Sequence, residues 1–97
     1  MMDNVILQIS DGYNWYTILN WGDNSADAHT NISISSIGGA EDDNRDIASG
    51  LLHDTTGVAI DLDALPIPSV TYSYIRITAP AGDSGDGCDI DAIAILP

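Results

Sequence analysis

Residues 5–21, VILQISDGYNWYTILNW, carry the pattern that most constrains the fold of this chain. Val5, Leu7 and Ile9 share one face of an extended run, which is the period of two typical of a β-strand. Asp11-Gly12 follows, a dipeptide that strongly favours a tight hairpin turn. A second alternating run over residues 15–21 returns along the first. The sequence therefore predicts an antiparallel hairpin.

Four further short runs are predicted to be strands, and they are residues 31–36, 57–62, 71–78 and 90–96. A long irregular loop over residues 38–56 separates the first two of these runs, and Pro66 and Pro68 force an extended crossover between the next two. Six strands without a convincing helix predict an all-β fold, an antiparallel sandwich formed by residues 1–97 as one domain.

The composition agrees with a sheet and excludes several partners. Fourteen Ile and no Phe supply β-branched residues that pack well on a pleated surface. Fourteen Asp, one Glu, no Lys and two Arg give a net charge of −13. Such a chain is repelled by nucleic-acid phosphates and by anionic membrane surfaces. The preference for Asp over Glu suits tight turns and Ca²⁺ coordination.

The acidic, glycine-rich stretch GDSGDGCDID over residues 82–91 is one candidate for metal binding. It lacks the terminal Glu and the flanking helices of an EF-hand, so we expect a site at a sandwich edge that combines two loops. The candidate Ca²⁺ ligands are Asp86, Asp89 and Asp91 from this stretch, and Asp23 and Asp27 from the other loop. The alternative is a solvated acidic hairpin.

A second acidic cluster, EDDNRD, covers residues 41–46. Asp42, Asn44 and Asp46 alternate as the ligands of calcium loops often do, but Arg45 lies among them. Because an arginine can neutralise a carboxylate through two parallel hydrogen bonds, we predict a self-contained loop bridged by Arg45.

Aromatic residues beside polar ones suggest a carbohydrate site. Sugar recognition needs an aromatic ring as a platform and polar groups that bond hydroxyls. The predicted ligand-binding residues are Trp21, Asp23, Asn24, Tyr72, Tyr74 and Arg76. Tyr72, Tyr74 and Arg76 are expected to form a stripe on the outer face of one strand, and this stripe alternatively packs against a neighbouring module. Trp15 is predicted to lie in the core.

No arrangement typical of an enzyme is found. Asp61 and Asp91 are the acidic residues in strand-like contexts, and the Asp54-Thr55-Thr56-Gly57 run has the wrong spacing for an aspartic protease. His29 and His53 have no Cys at zinc-site spacing and are expected in exposed loops. Cys88 is alone, which excludes an intramolecular disulfide.

Several stretches resemble a known group of domains. Residues 5–15 resemble a hairpin of the galactose-binding-like β-sandwich families, which include discoidin-type and several carbohydrate-binding modules. Residues 74–77 and 89–95 are similar to the last two strands of these jelly rolls. Residues 15–24, 60–63 and 85–97 are similar to jelly-roll modules of large bacterial cell-surface proteins.

The resemblance implies a jelly-roll sandwich and an extracellular or cell-surface location. In several such modules an Asp of the last strand holds a structural Ca²⁺, and Asp91 matches that position. These modules begin with strands that would precede the first hairpin here, so the resemblance implies that either another chain supplies the N-terminal edge or the fold has rearranged.

We therefore expect a non-catalytic extracellular binding or adhesion module, stabilised by Ca²⁺, whose partner is a carbohydrate or a neighbouring protein module. No signal peptide and no transmembrane run are found in the sequence. One alternative is a structural subunit that self-assembles through exposed sheet edges into an oligomer or a filament. Another is a small hydrolase.

Overall fold

The computed structural model describes residues 2–42, 45–79 and 92–95 of the chain. Three strands, β1 (Val5–Ser10), β2 (Trp15–Trp21) and β3 (Tyr74–Thr78), form one antiparallel sheet in the order β2-β1-β3. A four-residue helix, α1 (Ile34–Ile37), and two 3₁₀ turns, Ser49–Leu51 and Leu62–Ala64, lie between β2 and β3. Regular structure is thus mainly β, in agreement with the all-β prediction.

The predicted hairpin is confirmed, and polar side chains shape its turn. Ser10 and Trp15 are paired at the turn end of β1 and β2. The Asp11 carboxylate accepts hydrogen bonds of 2.9 Å from the backbone N–H groups of Tyr13 and Asn14. These bonds lower the pKa of Asp11, and the bond from Asn14 N has the larger effect. Gly12 has a φ of +99°, which favours glycine at that position.

A bulge interrupts the pairing of β1 with β2 and reverses which residues face the core. Leu7 pairs with Leu19 and Gln8 pairs with Thr17, so Ile18 is an extra residue in β2. Ile18 and Leu19 are consequently both buried, although they are adjacent. On the two sides of a bulge the alternation of side chains changes phase.

The core lies on one face of the sheet, here named the inner face. Val5, Leu19, Trp21 and Ile32 form its centre and are at most 2 % exposed. Half-buried apolar residues from the N-terminal segment, β1 and the region between β2 and β3 cover this centre, namely Met2, Leu7, Ile37, Ile47, Leu52, Val58 and Ile60. The segments between β2 and β3 therefore pack over the hairpin even though they contain little regular structure.

The predicted strand over residues 31–36 is wrong, because its second half is the helix α1. Ser33 O accepts hydrogen bonds from the backbone N–H groups of Ser36 and Ile37, at 2.8 and 3.1 Å. The Ser36 hydroxyl also donates to Ser33 O at 2.7 Å. Such local bonds from serine side chains compete with a strand ladder. Gly38 ends the helix in the left-handed conformation, with a φ of 69°.

Residues 57–62 also do not form a strand, and the side chain of Asn31 takes the place of one. Asn31 Nδ2 donates to Leu51 O and Gly57 O at 2.7 and 3.2 Å, and its Oδ1 accepts from Ala59 N at 2.8 Å. Around it, isolated bridges join Thr30 to Ile60 and His53 to Gly57. One amide side chain thus satisfies three backbone groups that a neighbouring strand would otherwise pair.

We expect Asn31→Ala to reduce the free energy of unfolding by roughly 2–4 kcal/mol, because Leu51 O and Ala59 N lose their side-chain partner and Gly57 O keeps only the bond from His53 N. Chemical denaturation of the variant and the wild type measures this difference. Asn14→Ala is the matched control, since the Asn14 side chain is exposed. Equal stability of the two variants would contradict the role assigned to Asn31.

Residues 92–95 of the predicted last strand are exposed and have no regular structure. The acidic stretch over residues 82–91, with Cys88, lies outside the described residues. In the described ranges, no helical segment combines the length and the hydropathy that crossing a membrane requires.

Candidate metal centre

Three carboxylates converge beside the end of β2. Asp23 and Asp27 belong to the loop that directly follows this strand, and Glu41 comes from the loop after α1. One oxygen of each residue lies within 4.8 Å of the others. We name this group the acidic triad.

The loop after β2 is held around the Glu41 side chain by backbone donors. Glu41 Oε1 accepts hydrogen bonds from Gly22 N at 3.1 Å and from Asn24 N at 3.2 Å. In return, Glu41 N donates to Asn24 Oδ1 at 2.8 Å. Gly22 and Asn24 both have positive φ values, +118° and 56°, and this curvature directs their N–H groups to one oxygen.

Trp21 links the core to the two loops of the acidic triad. Its ring is fully buried, and its Nε1–H donates to the carbonyl of Asp42 at 3.2 Å. The last residue of β2 therefore connects the core to the segment that carries Glu41. Both loops of the acidic triad are thus attached to the most buried part of the sheet.

Two of the three carboxylates are removed from water. Glu41 is 2 % exposed and Asp27 is 6 % exposed, whereas Asp23 is exposed. Glu41 Oε2 and Asp27 Oδ2 have no hydrogen-bond partner among the described residues. An ionised carboxylate that is buried without a donor or a cation is costly, so these two oxygens need a partner.

Burial raises the pKa values of both members of this pair, although the contact with Glu41 opposes the increase at Asp27. Burial, followed by the close approach of the Asp27 carboxyl, raises the pKa of Glu41 to about 8. Burial likewise raises the pKa of Asp27, and the nearby charge of Asp23 adds to this increase. Without a cation, the two buried carboxyls therefore share a proton near neutral pH.

A divalent cation would replace that proton. The triad offers only carboxylate oxygens, which are the ligands that Ca²⁺ and Mg²⁺ prefer, and it contains no Cys or His. Asp23 is exposed, so water can reach the acidic triad from its side. The donor set therefore fits a hard cation.

The predicted metal ligands are thus partly brought together. Asp23 and Asp27 lie in one site, as their shared loop suggested, but Glu41 was missed because it was assigned to the cluster 41–46. One signal was available: Glu41 is the only Glu among fifteen acidic residues, and its longer side chain reaches across from a second loop. Asp86, Asp89 and Asp91 lie outside the described residues, so their role as ligands stays a prediction.

The predicted Arg45 bridge in this cluster is wrong for the acidic residues described. The Arg45 guanidinium donates instead to backbone carbonyls, to Ala40 O at 3.1 Å and to Ile37 O at 2.9 Å. It thereby closes the turn after α1 and leaves Glu41 free to join Asp27.

The predicted carbohydrate platform at Trp21 is also wrong. Trp21 is 0 % exposed, so no ligand can stack on its ring. Trp15, predicted to be buried, is 42 % exposed instead. The bulge at Ile18 places the two tryptophans on opposite faces, with Trp21 inward and Trp15 outward. The expectation that Trp21 is exposed rests on its position at the end of the strand. Asn24 shapes the loop of the acidic triad through its bonds with Glu41.

Trp15 belongs to a different cluster, on the face of the sheet opposite the core, here named the outer face. The Arg76 guanidinium carbon lies 4.1 Å from the centre of the Trp15 ring. Arg76 Nε and Nη2 both donate to Gln8 Oε1, at 2.9 and 2.7 Å. Tyr74 is two residues from Arg76 in β3 and is 60 % exposed. We name Gln8, Trp15, Tyr74 and Arg76 the outer-face cluster.

Tyr72 does not join Tyr74 and Arg76 in a stripe, because it precedes β3. Its ring packs edge-on against Tyr16, with a centroid distance of 5.9 Å. Its hydroxyl donates to the carbonyl of Pro68. Tyr16 alternates with Trp15 in β2, so Tyr72 lies away from the outer-face cluster.

The two histidines differ in their surroundings. His53 is exposed, as predicted, and lies 3.4 Å from the carboxylate of its neighbour Asp54. His29 is half-buried, contrary to the prediction of an exposed side chain, because its Nε2 hydrogen-bonds to the carbonyl of Ile18.

Comparison of the chain with models of protein families, with curated proteins and with solved structures yields no match. The resemblance to galactose-binding-like domains therefore stays a prediction.

Proposed function

We propose that this protein is a non-catalytic binding module whose fold is stabilised by a Ca²⁺ ion held by Asp23, Asp27 and Glu41. One observation carries the proposal. Two carboxylates that are more than nine-tenths buried each have an oxygen without a hydrogen-bond partner among the described residues, and both lie within the acidic triad. A cation between them gives these oxygens the partner that burial requires.

Calcium fits this group better than the other common ions. Zn²⁺ favours Cys and His ligands, which the triad lacks. Mg²⁺ demands near-ideal octahedral geometry, whereas Ca²⁺ accepts irregular sets of carboxylate, carbonyl and water oxygens. The triad is built from two irregular loops, one of which is shaped by the left-handed residues Gly22 and Asn24.

The proposed ion acts on stability through the loops that it joins. Asp23 and Asp27 follow β2, while Glu41 lies beyond α1, so an ion connects segments that are 14 to 18 residues apart in sequence. Binding to the folded state alone stabilises it by about 2.7 kcal/mol when the free ion is at a hundred times its dissociation constant.

Calorimetric titration and thermal unfolding with CaCl₂ or EDTA test this role. We expect CaCl₂ to raise the Tm by roughly 10–20 °C at saturation, since about 1 kcal/mol corresponds to 4–8 °C in a domain of this size. Glu41→Gln should abolish the shift, because it removes the charge from the most buried ligand.

Asp63→Asn is the matched control, since it also removes one negative charge but from an exposed residue outside the triad. This variant should respond to Ca²⁺ as the wild type does. The proposal fails if the wild-type Tm is the same in CaCl₂ and EDTA, or if Asp63→Asn loses the response equally.

The outer-face cluster supports a second part of the function, recognition of a carbohydrate. It combines an exposed indole with an arginine that Gln8 holds in place, so an aromatic surface and N–H donors lie side by side. A neutral glycan suits this face, since the net charge of −13 repels anionic ligands. The proposal includes the cell-surface location that the sequence resemblance implies.

Binding of neutral oligosaccharides on a glycan array tests this second part. Trp15→Ala should weaken binding at least about tenfold, because stacking of a ligand on an aromatic ring contributes on the order of 1 kcal/mol or more. Tyr13→Ala serves as the control, since Tyr13 is 91 % exposed and lies in the turn beyond the cluster. Binding that survives Trp15→Ala would exclude this face as the site.

A further inference from the structure

β3 is an edge strand with an open side. It pairs with β1, and in the part of the chain that the structure describes no strand pairs with its other side. All five of its side chains are exposed. Sheet edges of this kind present unpaired backbone N–H and C=O groups to other extended segments.

The apolar residues of the inner face are only partly buried at this edge. Ile75 pairs with Ile9 and Ile77 pairs with Leu7, so both isoleucines continue the core-facing rows of β1. Ile9 is 7 % exposed, but Ile75 and Ile77 are 44 % and 37 % exposed. Another apolar strand beside β3 would bury Ile75 and Ile77 further.

A segment with the matching pattern is exposed in the same chain. Residues 92–95 read Ala-Ile-Ala-Ile, carry no charge and have no regular structure. Ile93 is 54 % exposed and Ile95 is 98 % exposed. In an extended conformation the two isoleucines point to one side and the two alanines to the other.

The segment and the edge are complementary in length and in side-chain size. Four extended residues span about 13 Å, close to the length of the five-residue β3. Ile93 and Ile95 would extend the row of Ile75 and Ile77, while the small Ala92 and Ala94 would lie beside the larger Tyr74 and Arg76. Placing the isoleucines inward therefore leaves the outer face uncrowded.

We propose that residues 92–95 of one copy of this chain add as a strand to the free edge of β3 in a second copy. The occupant is a second copy because the near-complete exposure of Ile95 leaves this segment uncovered in its own chain. Contacts of this kind are head-to-tail, so a bound pair still offers one free edge and one free segment.

The charge of the chain sets the conditions for this association. Two copies with a net charge of −13 each repel one another, and salt screens that repulsion over a distance of about 8 Å at physiological ionic strength. Apolar strand pairing itself does not weaken as salt is added. Association should therefore strengthen when the NaCl concentration is raised.

Two double variants of the full-length chain separate the two halves of the contact. The segment variant, Ile93→Ser with Ile95→Ser, keeps the edge intact. The edge variant, Ile75→Thr with Ile77→Thr, keeps the segment intact and retains a β-branched residue in the strand. Val70→Ser is the control, because Val70 is 49 % exposed and lies in neither half.

Sedimentation velocity over a range of protein and NaCl concentrations gives the result. The wild type and Val70→Ser should form species that grow with concentration, and each double variant should associate about a hundredfold more weakly, since one buried isoleucine corresponds to roughly a tenfold change. An equimolar mixture of the two variants should form a dimer and nothing larger, because it restores one intact contact.

Circular dichroism of each variant first establishes that it is folded. A wild type that stays monomeric at every concentration overturns the proposal, and so does a mixture in which no dimer appears. A monomeric wild type with a lowered Tm in the segment variant would show that the segment pairs within its own chain, which also overturns it. The assay is run in CaCl₂, where the proposed ion stabilises the fold, and repeated in EDTA. Association of the folded protein in both conditions separates this proposal from that of the Ca²⁺ site.

Discussion

Trp21→Ala is expected to reduce the free energy of unfolding by about 3–5 kcal/mol, the range for removing a large aromatic residue from a core. Trp21 is fully buried at the centre of the core, and it also bonds the carbonyl of Asp42. For a domain of this size the loss corresponds to a Tm that is lower by at least about 12 °C. Thermal and chemical unfolding measure it.

Trp15→Ala is the matched comparison, since it removes the same ring from the outer face. Its cost should be about 1 kcal/mol, the value of a partly exposed cation–π contact with Arg76. The ratio of the two losses in unfolding free energy tests whether the bulge places Trp21 and Trp15 on opposite faces of the sheet. Equal losses in the two variants would contradict the assignment of Trp21 to the core and Trp15 to the outer face.

In EDTA, the wild-type protein is expected to lose stability as the pH rises from 5 to 8. The pKa of Glu41 is raised from 4.5 to about 8 in the folded protein. Between these values only the folded state holds the proton, so unfolding releases it and the free energy of unfolding falls with pH. One proton gives a slope of at most about 1.4 kcal/mol per pH unit. Above pH 8 the penalty is fully present.

Saturating CaCl₂ should remove most of this decline, because the ion neutralises the carboxylates that lose the proton. Glu41→Gln should also flatten the profile in EDTA, since an amide next to Asp27 does not titrate, and it should not respond to Ca²⁺. Tm values measured across this pH range, with and without the ion, give all four curves. A wild-type profile in EDTA that is flat or rises with pH would contradict the buried, protonated pair.

The first hairpin was predictable because its determinants are local. The alternation in β1 and the Asp11-Gly12 turn act over a few residues, and nothing elsewhere in the chain overrides them. The bulge was not predictable in the same way, because the packing of Ile18 and Leu19 against distant residues decides whether β2 gains an extra residue. That one residue places Trp15 on the outer face, whereas Trp21 was misassigned because it lies at the end of the strand.

In the candidate site, too, local features were predictable and long-range contacts were not. Asp23 and Asp27 share one loop, so their proximity follows from short sequence separation. Glu41 comes from a second loop, which the bonds of Arg45 to Ile37 O and Ala40 O close. Similarly, the Ile-Ser alternation of residues 31–36 is compatible with a strand, but local serine bonds and the left-handed Gly38 give a helix. Features set by residues close in sequence were predicted, whereas contacts between residues distant in sequence were missed.

The position of Asn31 has a practical consequence for producing the protein. Asn31-Ile32-Ser33 matches the acceptor sequence for N-linked glycosylation. In a eukaryotic secretory host, oligosaccharide is added to the same Nδ2 that bonds Leu51 O and Gly57 O in the folded domain. A glycosylated chain cannot make both bonds and has no room for the sugar between these segments. Secretion from such a host should therefore require Ser33→Ala, which removes the acceptor sequence and keeps the amide.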